Sequence, residues 1–177
     1  TTALETADCS ILDRLSTDEE LFSQLNFNYV IVAMNASGKK GKSAKKYEAW
    51  RNFHSKSNKD YRLPKAFEGT EIWGAYMTDF IKESGLSSSM EAAVKNFSNM
   101  SDVERRKNIK FFEDEINIIG LKNIKKIIVL GEKTLLLMKL MLPQEYREKM
   151  VGVWHYAVRK SDKDFKKNVK NAIFKNF

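Results

Sequence analysis

Tyr29-Val30-Ile31-Val32-Ala33-Met34, running into Asn35-Ala36-Ser37-Gly38, is the stretch that decides how this chain folds. The apolar run has no polar alternate, the pattern of a strand covered on both faces rather than one with a wet side. It stops in small polar residues suited to a turn. Three later stretches repeat the theme. Residues 72–78 read as a second strand ending in Thr78-Asp79, residues 125–131 as a third ending in Gly131, and residues 151–155 as a fourth ending in His155.

Helical patterns separate these strands. Ser16 is placed to cap a helix over residues 17–24, whose Asp18, Glu19 and Glu20 suit the positive end of the helix dipole. A helical stretch is expected at 44–54, while the polar residues 55–64 have no clear period. Ser101 and Glu104 have the spacing of a capping box and open an amphipathic helix through Ile109, Phe112, Ile116 and Ile119 to Gly120. Residues 132–142 form a helix stopped by Pro143, and residues 161–177 close the chain as another. Strands alternating with helices predict right-handed crossovers. The expected fold is α/β: a three-layer α/β/α sandwich with a short, mainly parallel four-stranded sheet, in one domain over residues 1–177 with 1–15 as a peripheral segment.

A length of 177 residues suits one domain, and 42% hydrophobic with 31% charged residues is a soluble globular composition. No apolar run approaches the roughly 20 residues that cross a bilayer, so no membrane span is expected. The first ten residues lack the order of a secretory signal, and the single Cys9 has no partner for an internal disulfide. A reducing, cytoplasmic setting is the expectation. The net charge of +8 favours an anionic partner. Lys39, Lys40, Lys42, Lys45 and Lys46 cluster behind the first strand, at the expected mouth of a pocket, whereas the lysines of the last helix read as a solvated face.

Phosphate-binding glycine loops, paired cysteines and a Gly-x-Ser-x-Gly elbow are all absent from the sequence, and His54 and His155 are its two histidines. Neither a metal nor an organic cofactor is expected. In a parallel sheet the ligand lies beyond the carboxyl ends of the strands, which brings Asn35, Thr78-Asp79, Gly131-Glu132 and His155-Tyr156 to one rim. Each residue has two readings. Asn35 orients a water or holds a ligand edge, or serves the turn; His155 stabilises charge on a leaving group, or is a hydrogen-bonded structural histidine. Asp79 accepts from a base or sugar, or caps the segment after it. Trp50, Phe53 and Trp73 form a stacking wall, or belong to the core.

Met34-Asn35-Ala36-Ser37, Tyr76-Met77-Thr78-Asp79 and Trp154-His155-Tyr156-Ala157 succeed one another at three strand ends, and residues 28–157 resemble the uracil-DNA glycosylase superfamily on those motifs. The resemblance implies hydrolysis of the N-glycosidic bond of a flipped-out uracil or related damaged base in DNA. Asn35 and His155 would be the catalytic residues. Phe53, Thr78 and Asp79 would bind the base. Ser37, Lys39, Lys40 and Lys42 would contact DNA, and Tyr156 would fill the gap left by the extruded nucleotide. The sequence departs from the family pattern where Ala36 replaces proline, Tyr156-Ala157 replaces Pro-Ser, and Asp79 stands where many members carry asparagine. A carboxylate there accepts from a ring N3–H but does not donate to O4. Two other readings stay open: a catalytically silent nucleic-acid- or nucleotide-binding member, and a protein-interaction domain on the same scaffold.

Overall fold

The structure is a computed structural model and describes residues 14, 17–35, 59, 61–82 and 90–174. Its centre is a four-stranded, wholly parallel sheet: β1 (Asn26–Asn35), β2 (Ala75–Ile81), β3 (Lys126–Leu130) and β4 (Met150–Val153), in the spatial order β2-β1-β3-β4. The helices are α1 (Glu19–Ser23), α2 (Arg62–Phe67), α3 (Met90–Asn99), α4 (Asp102–Ile119), α5 (Glu132–Met141), α6 (Gln144–Arg147) and α7 (Asp162–Phe174). No described helix is long and apolar enough to cross a membrane.

Alternation along each strand divides the core in two. Val30, Val32, Phe80, Ile127 and Val129 face α3, α4, α5 and α6 through Phe97, Phe112, Ile116, Met138 and Tyr146. Tyr29, Ile31, Ala33, Ile128, Leu130 and Val153 face α2 and α7 through Leu63, Phe67, Phe165, Val169 and Ile173. The result is an α/β/α sandwich. Its handedness explains the split: β1 to β2 steps one way across the sheet with α2 on one face. The chain from β2 through β3 to β4 steps the other way, with α3 to α6 on the opposite face.

The boundaries refine the sequence reading. Asp18, not Ser16, caps α1, accepting from Leu21 N–H at 3.0 Å. The capping box at α4 forms with both of its bonds. β2 begins three residues later than expected, because Gly74 turns the chain at φ +77° and leaves Ile72 as a core residue of that turn. Thr78 and Asp79 therefore lie inside β2 and not past its end. The unassigned polar segment ends in α2, and α3 and α6 are further elements without a sequence expectation. The expected helix at 44–54 lies outside the described residues.

Candidate functional site

Pairing register fixes where the rim residues stand. Asp79 pairs with Ala33, and Leu130 pairs with Val153, while Val32 pairs with both Thr78 and Val129. Ala33, Asp79, Leu130 and Val153 thus form one transverse row. Asn35 stands two residues beyond this row on β1, and His155 two residues beyond it past β4. Two strand spacings, about 10 Å, separate β1 from β4.

Faces follow from the same geometry. Tyr29, Ile31 and Ala33 face α2 and α7, and Asp79 shares that side as the in-register neighbour of Ala33, whereas Asn35 at the strand end pairs with Ile81, which packs in the core of the opposite face. The His155 ring lies against that of Tyr156, centroids 4.2 Å apart, and Tyr156 packs in the same core layer. Asp79 and His155 accordingly lie on the side of α2 and α7, with Asn35 at the carboxyl end of β1. Between them β3 ends in Gly131, whose φ of +94° is a left-handed conformation that favours glycine and whose N–H donates to Val153 O at 2.8 Å. The described helix that precedes β2, α2, lies on one face and the helix after β3, α5, on the other, so the switch point of the sheet lies between β1 and β3.

The electrostatics of His155 are specific. Ala157 N–H donates to its Nδ1 at 3.2 Å, which leaves the ring proton of the neutral imidazole on Nε2. Burial lowers the pKa of the ring below its ordinary value. The group is therefore a neutral donor whose N–H points away from its own backbone turn. That turn is held firmly. Arg62, only 5% exposed, donates through Nη1 to the carbonyls of Tyr156 and Val158, both at 3.0 Å, and through Nη2 to Lys160 O at 2.8 Å. Its Nε lies 2.7 Å from Asp162. Asn168 of α7 accepts from Trp154 N–H at 2.8 Å.

Thr78 points to the other face. Its hydroxyl donates to Glu115 Oε1 at 2.7 Å and accepts from Lys82, while Tyr76 donates to the same carboxylate oxygen at 2.5 Å and Lys82 pairs with Oε2 at 2.6 Å. Burial, then the Glu115 carboxylate, holds the Tyr76 phenol far above its usual range. This cluster bolts α4 to the edge strand β2, and it commits Thr78 away from the side of Asp79. Tyr156 also differs from its expected role as an inserting residue. Only 7% exposed, it is a core side chain rather than a wedge presented to solvent. Trp154, 38% exposed, is the aromatic of this strand end that meets solvent. Ser37, Lys39, Lys40, Lys42 and Phe53 lie outside the described residues.

No family model, curated protein or solved structure matches this chain. The chemistry of the site rests on its own geometry. Among the described residues no group of three His, Cys, Asp or Glu side chains could hold a metal ion. What the rim offers is a carboxamide, a carboxylate and a neutral imidazole donor around a strand end that carries no side chain. Arg62 and Asn168 are the positioning residues that sequence reading missed. Their partners lie far along the chain, and no local pattern marks them.

Proposed function

We propose that this protein is a DNA base glycosylase-like hydrolase that cleaves the N-glycosidic bond of a flipped-out uracil or related base. The observation that carries the reading is the state of His155: neutral, with Nδ1 occupied by Ala157 N–H and the ring proton on Nε2, at the same end of the sheet as Asn35 and on the side that Asp79 faces. Bond cleavage leaves the electron pair of the C1′–N bond on the base, so negative charge develops on its ring oxygens while the sugar becomes cation-like. A preorganised neutral donor at such an oxygen contributes about 3–4 kcal/mol. His155 Nε2–H is assigned that role.

The Asn35 amide accepts from the attacking water and aims its oxygen at C1′. The water supplies hydroxyl to the sugar, and its remaining proton ends on the departed base. Asp79, level with Ala33 and one strand from Asn35, accepts a ring N–H of the base. A carboxylate in that place favours any base edge that presents N–H, hypoxanthine included, and gives no donor for O4. Base extrusion is required because the glycosidic bond of a stacked nucleotide is out of reach. The reading predicts abasic sites when the protein is incubated with oligonucleotides carrying uracil or hypoxanthine, as single strands and duplexes. Absence of alkali-labile product from every one of them rejects it.

A second reading is a binding protein without turnover, favoured by Ala36 and Tyr156-Ala157 at motif positions where the superfamily carries proline and Pro-Ser. Salt-sensitive DNA binding with no abasic product is its signature.

A further inference from the structure

A concave groove of about 480 Å³ runs between α2 and α7, with Lys65, Lys163 and Lys166 on its walls and the buried Arg62 at its base. Two acids, Glu68 and Asp162, share the lining. Asp162 is taken up by Arg62 at 2.7 Å, and the Lys163 and Lys166 ammonium groups have no carboxylate partner among the described residues. The cationic surface continues beyond the groove. Lys163, Lys166 and Lys170 are exposed on one face of α7, about 4.5 and 6 Å apart along its axis. From Phe165 onward the sequence carries no acid.

The groove also abuts the strand end described above. Arg62 reaches from it to the carbonyl of Tyr156, and Asn168, between Lys167 and Lys170 on α7, holds Trp154 N–H. Trp154, 38% exposed, stands at this strand end beside α7.

We propose that the α2/α7 groove and the Lys163–Lys166–Lys170 stripe bind the phosphodiester backbone of a nucleic-acid strand. Regularly spaced cations that continue a groove lined by three lysines are what a chain of phosphates recognises. The outward residues of α7 decide against a lipid surface. Lys163, Asp164, Lys166, Lys167 and Lys170 are exposed while Phe165, Val169 and Ile173 are buried in the core, so the helix has no apolar side to insert between acyl chains. This proposal rests on the nucleic-acid reading of the partner but not on turnover.

Binding of a fluorescein-labelled single-stranded oligonucleotide, and of its duplex, is measured by anisotropy across a range of NaCl concentrations. Three full-length proteins are compared: the parent, Lys163→Glu/Lys166→Glu, and Lys122→Glu/Lys139→Glu. The last makes the same change of net charge at exposed positions away from the groove. Thermal melting checks that all three are folded. The groove variant is expected to lose at least tenfold in affinity against the charge-matched control. Its log–log salt slope is expected to fall by about 1.4 on single strands, two contacts at ~0.7 each. Equal affinity and slope in the two variants overturns the proposal. So does a parent that ignores both oligonucleotides yet binds vesicles of anionic phospholipid or an acidic peptide. Abasic-site formation is scored in parallel, so loss of turnover with binding retained strikes the glycosylase reading and leaves this one standing.

Discussion

The backbone N–H of Ala157 donates to Nδ1 of His155 at 3.2 Å, two residues away across a tight turn. That single bond fixes which nitrogen carries the proton, and burial of the ring keeps a second proton off.

The first prediction concerns this ring. Long-range nitrogen–proton correlation spectra will place the His155 proton on Nε2, and the ring will titrate below the ordinary value of about 6.5. The folded state resists a proton that the unfolded ring accepts at about pH 6.5, so the contribution of the ring to stability is intact above that pH. It is lost as pH falls through the depressed folded value. His155→Gln removes the effect, and its urea midpoint will therefore fall less than that of the parent between pH 7 and pH 5. A proton on Nδ1, or a titration midpoint at or above about 6.5, contradicts the assignment.

Arg62 is expected to be the costliest polar substitution in the described structure. Arg62→Ala strands three carbonyls of the 156–160 turn, a loss of up to about 1–3 kcal/mol for each acceptor left unpaired, while the ion pair to the half-exposed Asp162 adds little. Arg62→Lys keeps the charge but lacks the fork that reaches several carbonyls at once, and should recover less than half of the loss. Chemical denaturation measures both, and the His155 ring resonances will shift in each, because its turn is what the guanidinium holds.

Glu115 ties Tyr76, Thr78 and Lys82 to α4. Glu115→Ala leaves two hydroxyls and an ammonium group without their common acceptor, with an expected cost of about 2–3 kcal/mol. The Tyr76 phenol, freed of the neighbouring carboxylate, will then ionise at lower pH, which ultraviolet titration reads directly. An unchanged phenol titration would show that the carboxylate is not its partner in solution.

The legible parts of the fold are those with local causes. The apolar runs of β1 and β3, the Ser101–Glu104 capping box and the Pro143 stop each depend on residues within a turn of one another. The start of β2 is misplaced from sequence because Ile72-Trp73 looks like strand while the true strand runs on through Asp79, with Thr78 inside it made tolerable by its partner Glu115 on α4. Arg62 sits in a stretch that reads as polar loop. Its burial depends on carbonyls 94 to 98 residues away, which no window over the sequence contains. Tyr156, one residue past a candidate catalytic histidine, reads as a surface wedge until the core of α2 and α7 is seen to enclose it.

Gly131 separates the two candidate catalytic residues across the rim. A side chain at its φ of +94° is strained whatever its size, so Gly131→Ala should cost about 1–3 kcal/mol. It also places a methyl group at the strand end between Asn35 and His155. If a base occupies that space, the variant will lose oligonucleotide cleavage by more than its thermal melting explains, measured at a temperature where it is fully folded.

The most direct measurement is single-turnover cleavage of a uracil-containing single-stranded oligonucleotide, with a hypoxanthine-containing strand beside it, by the parent, Asn35→Ala and His155→Ala. Abasic product from the parent is expected on at least one strand. Each variant should be slower by about 10²–10³-fold, the effect of losing one preorganised group, while keeping the oligonucleotide affinity of the parent. A folded parent that binds these strands and releases no base, or a His155→Ala protein as fast as the parent, would contradict the glycosylase assignment.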